Sequence, residues 1–122
     1  MIPHAMKLLV VDDSLIIRRS IERLLRSGRF SEIRSASNGV QAYEEFKSFQ
    51  PDIVTMDITM PLMDGLTAVD TILRDNPDAK VLVVSALADK STAVEAIKRG
   101  AMGFLLKPIT PESLNEALED IL

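Results

Sequence analysis

Residues 51–61 read Pro-Asp-Ile-Val-Thr-Met-Asp-Ile-Thr-Met-Pro, and this stretch decides the fold. The largely apolar run over 53–56 predicts a buried strand. The run ends in one carboxylate, Asp57, and Pro61 with Gly65 soon after it rules out a longer strand. A charge at the end of a buried strand lowers stability unless something pairs with it. Asp57 is therefore either a paired structural acid or a functional one, and the other strands decide between these.

Four more predicted strands lie on either side of this segment, and each is followed by a helical pattern; three are apolar runs, and the one at 32–35 is weaker, with Ile33 as its main apolar residue. The predicted strands cover residues 7–11, 32–35, 53–56, 81–84 and 102–106. The second is the most polar, which is typical of a sheet edge. Five strand–helix units in strict alternation predict an α/β fold, with a parallel sheet and helices on both faces.

The helix boundaries are predicted from capping residues. Ser14 opens the first helix, Asn38-Gly39 precedes the second, Thr92 with Glu95 forms a capping box for the fourth, and Thr110-Pro111 caps the fifth. Predicted stops are Gly28, Asn76-Pro77 and Gly100. The polar face of the first helix is expected to be solvated, and it contains Arg18, Arg19, Glu22, Arg23 and Arg26.

Composition excludes several classes of function. The chain has 122 residues, which indicates one domain at 6–122 after a short tail at 1–5 that is expected to be disordered or an expression remnant. The absence of cysteine excludes thiol catalysis, thiolate zinc sites and iron–sulfur clusters. A net charge of -4 and a pI near 4.9 argue against direct nucleic-acid binding. With no apolar span and no signal peptide, we expect a cytoplasmic protein without membrane contact.

Polar side chains stand where four of the predicted strands end. The first strand ends in Asp12 and Asp13, the third in Asp57, the fourth in Ser85 and the fifth in Lys107. In open α/β sheets the ligand site lies beyond the carboxyl ends of the strands. Three acids, a hydroxyl and an amine at one edge therefore indicate a functional site rather than scattered surface polarity.

The residue types indicate phosphoryl chemistry with a divalent cation. Clustered carboxylates suit Mg²⁺, which also takes phosphate oxygens. An aspartate can form an aspartyl-phosphate, and a lysine can pair with phosphate as a point charge. The chain has neither GxxxxGK[ST] nor GxGxxG. A nucleotide is therefore not expected as the direct donor, and the phosphoryl group should arrive on another protein or small molecule.

The ordered set Asp12-Asp13, Asp57, Ser85 and Lys107-Pro108 resembles the receiver domain of two-component response regulators. The stretch 52–65 is most similar to the single-domain chemotaxis regulators of the CheY type. The resemblance covers 6–122 and implies a flavodoxin-like receiver fold: a five-stranded parallel sheet of order 2-1-3-4-5 with five helices.

The resemblance also implies residue roles. Asp57 is the phosphoacceptor for a sensor histidine kinase or histidine phosphotransferase. Mg²⁺ is ligated by Asp13, Asp57 and the Thr59 carbonyl, with Asp12 acting through water. Lys107 bridges to the phosphoryl group, and the Lys107–Pro108 peptide is expected to be cis.

The switch that this resemblance implies begins at Ser85, which moves toward the phosphoryl group while Phe104 rotates inward. The fourth helix, fifth strand and fifth helix then bind a downstream protein target. The implied molecule is a monomer that could dimerise on phosphorylation. It is not an enzyme beyond self-catalysed phosphotransfer and autodephosphorylation.

Two positions depart from the common pattern: Phe104 stands where many chemotaxis regulators have tyrosine, and Ser85 replaces the commoner threonine. Several alternatives stay open. The chain could be a phosphorelay intermediate or part of a larger regulator such as a transcription factor. A second alternative is an aspartate-nucleophile phosphatase, but such enzymes typically have a second acid where this chain has Thr59. A third is an adaptor that is independent of phosphorylation, but such a protein would not need the intact acids and lysine.

Overall fold

Strands and helices alternate along the chain in the computed structural model, which describes residues 6–25, 30–58, 60, 64–86 and 90–121. The predictions for the tail at 1–5, for the Gly28 stop and for Arg26 lie outside the described residues. The elements within the described ranges are β1 (Met6–Val11), α1 (Leu15–Leu24), β2 (Phe30–Ala36), α2 (Gly39–Phe49), β3 (Ile53–Asp57), α3 (Gly65–Asp75), β4 (Lys80–Ser85), α4 (Lys90–Lys98), β5 (Gly103–Leu106) and α5 (Pro111–Ile121).

The strands form one parallel sheet in the order β2-β1-β3-β4-β5. The fold class and the strand order are therefore confirmed. β2 lies at an edge and is largely exposed, as its polarity predicts. The direction in which successive strands are added to the sheet reverses between β1 and β3. β2 lies on one side of β1, and β3 lies on the other side. Sites in such sheets lie at this switch point.

Two apolar clusters cover the two faces of the sheet. Alternate strand residues point to opposite faces, so Leu9 and Val11 enter one cluster while Leu8 and Val10 enter the other. The first cluster packs under α2, α3 and α4, and the second under α1 and α5. All five residues of β3 are buried, and burial on both faces explains why the central strands are largely apolar.

Most predicted helix starts are confirmed by their capping bonds. The side chains of Ser14 and Asn38 each accept a bond from a backbone amide three residues later, and Asp64, which was not predicted as a cap, does the same for α3. Thr110 Oγ1 likewise accepts from Ser113 N at 3.0 Å. These bonds satisfy amides that have no partner within the helix. In the described residues no helix is long and apolar enough to cross a membrane.

The predicted capping box at Thr92 is wrong. α4 begins at Lys90, so Thr92 lies within the helix. A Ser or Thr three residues before Glu is typical of a helix start, but the same spacing can occur inside a helix that already continues from upstream. The strand predictions are short by one or two residues at several ends, as at β2, which spans Phe30–Ala36.

Two polar side chains, those of Asn115 and Arg18, make contacts inside the fold that the sequence did not predict. Asn115 is 5% exposed, and its Nδ2 donates to the carbonyls of Leu24 at 2.9 Å and Pro111 at 2.7 Å. The amide thus ties α5 to the last residue of α1. Arg18, expected on a solvated face, is partly buried and donates from Nη1 to the Asp12 carbonyl at 2.6 Å.

We expect Thr55→Val to stabilise the protein by about 1 kcal/mol, measured by urea unfolding. Thr55 is fully buried in β3, and its hydroxyl has no hydrogen-bond partner among the described residues. Valine has a similar shape without the polar atom. Thr71→Val is the matched control, because the Thr71 hydroxyl donates to the Thr67 carbonyl at 2.8 Å. A Thr55→Val protein that is clearly less stable than wild type would show that the hydroxyl is satisfied.

Candidate functional site

The sheet register brings the strand ends together at one edge. Val11 pairs with Met56, so Asp12 and Asp57 follow paired residues on neighbouring strands. Asp57 itself pairs with Val84, and Ser85 pairs with Leu106. The amide of Lys107 then donates to the Ser85 carbonyl at 2.8 Å. The predicted site residues on β1, β3, β4 and β5 therefore share one edge of the sheet.

Three carboxylates form the centre of this edge. One oxygen from each of Asp12, Asp13 and Asp57 lies within 4.8 Å of the other two. Asp12 and Asp57 are buried, whereas Asp13 is exposed. Two unit charges at this separation repel by about 3 kcal/mol at an effective dielectric constant near 20. The three ionised groups therefore need a positive charge nearby.

Lys107 supplies part of that charge. Its Nζ lies 3.3 Å from Asp12 Oδ2 and 3.6 Å from Asp57 Oδ1. One ammonium against three carboxylates still leaves an excess of negative charge. Asp12 Oδ2 has no hydrogen-bond partner among the described residues, although its other oxygen accepts from Ser14 N at 2.9 Å. An ion-pair contact at 3.3 Å without a hydrogen bond leaves this oxygen able to accept another ligand.

The donor set fits a hard divalent cation. Carboxylate oxygens without sulfur or imidazole suit Mg²⁺, which binds through a few carboxylates and keeps several waters. The predicted third ligand, the Thr59 carbonyl, lies outside the described residues. The described part of the site therefore fits the predicted Mg²⁺ in ligand type and proximity.

Ser85 and Phe104 occupy different environments. Ser85 is 1% exposed, and its hydroxyl donates to the Ala86 carbonyl at 3.0 Å, so it is engaged with the backbone next to it. Phe104 in β5 pairs with Val83 of β4, and Phe104 is 37% exposed. The ring therefore lies toward solvent, while the next residue, Leu105, enters the core. The Lys107–Pro108 peptide is cis, as the resemblance implied.

Gly65 holds the end of β3 against the start of α3. Its amide donates to the Ile58 carbonyl at 2.8 Å. A Cβ at this position would lie 2.5 Å from Ile58 Cα and closer still to the Asp57 carbonyl oxygen. Glycine is needed here because the two backbones approach too closely for any side chain. In the sequence, Gly65 indicates only the end of a strand, and its contact with the Asp57 backbone depends on how β3 and α3 pack.

Comparison with known proteins identifies close resemblances along almost the whole chain. Residues 8–119 match the response regulator receiver domain family. The chemotaxis protein CheY of Listeria monocytogenes is 42% identical over 114 residues, covering 93% of this chain and 96% of that protein.

Solved structures agree with this match. NtrX from Brucella abortus superposes with a TM-score of 0.89 at 32% identity, over 98% of this chain but 27% of the NtrX chain. The CheX-CheY-BeF3-Mg²⁺ complex from Borrelia burgdorferi contains a chain with a TM-score of 0.89 at 30% identity, covering 95% of this chain and 88% of that chain.

Gly65→Ala is expected to destabilise the protein by about 3 kcal/mol, because the new methyl group would push the backbone of Asp57 and Ile58 aside. Gly103→Ala is the matched control. Its Cβ would lie 3.5 Å from Leu82, which is ordinary van der Waals contact. Urea unfolding of both variants measures the difference. Equal stability of the two would contradict the close approach at Gly65.

Proposed function

Because the chain belongs to the response regulator receiver domain family, we propose that it is a phosphorylation-controlled signalling switch with Asp57 as phosphoacceptor. The observation that carries the proposal is the meeting of Asp12, Asp13, Asp57 and Lys107 at one edge of the sheet. Receiver domains act as phosphoacceptors rather than as enzymes on separate substrates. The donor here would be a sensor histidine kinase or a histidine phosphotransferase.

The transfer forms one bond and breaks another. A carboxylate oxygen of Asp57 attacks the phosphorus of a phosphohistidine, the phosphorus–nitrogen bond breaks, and the imidazole leaves with the electron pair. Water later attacks the acyl phosphate and releases inorganic phosphate. Lys107 Nζ, 3.6 Å from Asp57 Oδ1, is placed to pair with the new phosphoryl oxygens. The chain catalyses these steps only on itself.

Asp13 and Asp57 would hold Mg²⁺ directly with the Thr59 carbonyl, while Asp12 would act through bound water. When bound, the cation supplies positive charge that offsets the repulsion between the carboxylates and the incoming phosphoryl group. Asp12 Oδ2, without a hydrogen-bond donor among the described residues, is placed to accept from such a water. The CheX-CheY-BeF3 complex from Borrelia burgdorferi contains Mg²⁺, which supports Mg²⁺ as the cation proposed for this chain.

The output would pass through α4, β5 and α5. Four large apolar side chains on α4 and at β5 are substantially exposed: Val94, Ile97, Met102 and Phe104. Ser85 would leave the Ala86 carbonyl for a phosphoryl oxygen, and Phe104 would turn inward behind it. If the inactive state is favoured by about 99:1, inverting it takes about 5.5 kcal/mol. Charge-assisted bonds from Ser85 and Lys107 supply energy of that order.

Chemotaxis is the pathway that the comparisons favour, because CheY proteins from several organisms match over nearly their whole length. The Borrelia CheY is found with CheX, which supports a protein target for this chain as well. The second candidate is a phosphorelay intermediate or the receiver of a larger regulator. The match to part of the longer NtrX chain supports this second candidate. We expect cytoplasmic location for either role.

Asp57→Asn is expected to abolish phosphorylation. Intact mass after incubation with acetyl phosphate should show the gain of one phosphoryl group in wild type with Mg²⁺, little gain without Mg²⁺, and none in the variant. Asp64→Asn is the control, because asparagine caps a helix as well as aspartate does and Asp64 caps α3. Phosphorylation of Asp57→Asn at the wild-type rate would overturn the proposal. So would the absence of phosphorylation in both wild type and Asp57→Asn.

Lys107→Ala is expected to accept the phosphoryl group but to lose the coupling to β5. Amide chemical shifts of Phe104 and Ile97, followed by NMR on adding beryllofluoride and Mg²⁺, should change strongly in wild type and weakly in the variant. Lys80→Ala is the control, because Lys80 lies at the other end of β4. Full shift changes in Lys107→Ala would show that the lysine does not transmit the switch.

A further inference from the structure

Arg18 reaches from the start of α1 back to the acidic edge of the sheet. Its Nη1 donates a hydrogen bond of 2.6 Å to the backbone carbonyl of Asp12. That carbonyl belongs to the peptide that joins Asp12 to Asp13, so the bond fixes the orientation of the link between the two acids. The next residue, Arg19, is exposed on the same helix. The two arginines therefore have the same charge but different surroundings.

The hydrogen bond from Arg18 is one of three that hold Asp12 in place. The Asp12 amide donates to the Ala36 carbonyl at 3.1 Å, and Oδ1 accepts from Ser14 N at 2.9 Å. With the amide, the carbonyl and one carboxylate oxygen held, Oδ2 is directed toward Lys107 Nζ at 3.3 Å. Loss of the Arg18 bond would free the carbonyl and allow the Asp12–Asp13 peptide to turn.

Fold stability alone does not account for an arginine at this position. Arg18 Nε is buried and has no hydrogen-bond partner among the described residues. Burying part of a cation without a partner is unfavourable, and an apolar side chain of similar length would avoid that cost. The arginine is therefore better explained by what it does to the acids than by its own packing.

We propose that Arg18 is a positioning residue for the cation site, which it orders through the Asp12 carbonyl. The inference rests on the proposed function, since it takes Mg²⁺ as the ligand of the acid cluster. Partners that orient metal ligands typically change metal affinity by about 10- to 100-fold when they are removed.

The direction of the change in Mg²⁺ affinity distinguishes a positioning role of Arg18 from a purely electrostatic one. A positive side chain beside the acids opposes the binding of a cation, so removing it would strengthen Mg²⁺ binding if charge alone mattered. Positioning predicts the opposite: Arg18→Met should bind Mg²⁺ about ten-fold more weakly. Arg19→Met removes the same charge from the same helix without touching Asp12, so its Mg²⁺ affinity should equal or slightly exceed that of wild type.

Isothermal titration with MgCl₂ on the unphosphorylated full chain provides the test. Thermal unfolding should show Arg18→Met at least as stable as wild type. Arg18→Lys should fall between wild type and Arg18→Met, because lysine keeps a donor and the charge but lacks the planar fork. If Arg18→Met does not fold, the Arg18→Lys titration decides: weaker Mg²⁺ binding supports the inference, and wild-type affinity overturns it.

Phosphorylation by acetyl phosphate gives a second readout. For Arg18→Met, the half-saturating Mg²⁺ concentration should rise about ten-fold while the rate at saturating Mg²⁺ stays near that of wild type. A lowered saturated rate with unchanged Mg²⁺ dependence would instead indicate a general structural defect and overturn the inference. If wild type binds no Mg²⁺, the proposed function fails. If wild type binds and Arg18→Met binds as tightly or more tightly, only the role of Arg18 fails.

Discussion

Repulsion among three carboxylates at the end of a buried sheet is the constraint on which the rest of this structure depends. Asp12 and Asp57 are held in a largely apolar fold, where ionised groups need compensation. Lys107 contacts both, but one ammonium does not balance three acids. The negative charge that Lys107 leaves uncompensated favours the binding of a divalent cation at this edge.

The parallel sheet provides the means of assembling this charge. Its strands bury both faces under helices, so polar groups are excluded from the strand interiors and gather where the strands end. The reversal of strand order between β1 and β3 opens the edge at the position of the acids. At this edge Gly65 allows two backbone segments to approach closely, because α3 starts in direct contact with the backbone of Asp57 and Ile58.

The positions of the polar side chains at the strand ends could be predicted because each depends on a short segment of sequence. Asp57, Ser85 and Lys107 each follow a predicted strand, and the parallel sheet was predicted from the alternation of strands and helices. The strand order, which the resemblance to receiver domains implied, is also confirmed. The contacts of Arg18, Asn115 and Gly65 could not be predicted in the same way. Each depends on how elements distant in sequence pack together, as when Asn115 bonds the carbonyl of Leu24. The false cap at Thr92 has the converse cause, since a correct local pattern was overridden by a helix that begins upstream.

The same geometry links the acid cluster to the outer face of the protein. Lys107 contacts Asp12 and Asp57 through its side chain, while its amide bonds the Ser85 carbonyl. It also follows directly on β5, the strand that carries the exposed ring of Phe104. Under the proposed function, a change of charge at Asp57 would therefore act on a residue that contacts both the acids and the β4–β5 junction. Packed strands would transmit such a shift rather than absorb it, because a close-packed interior has little free space.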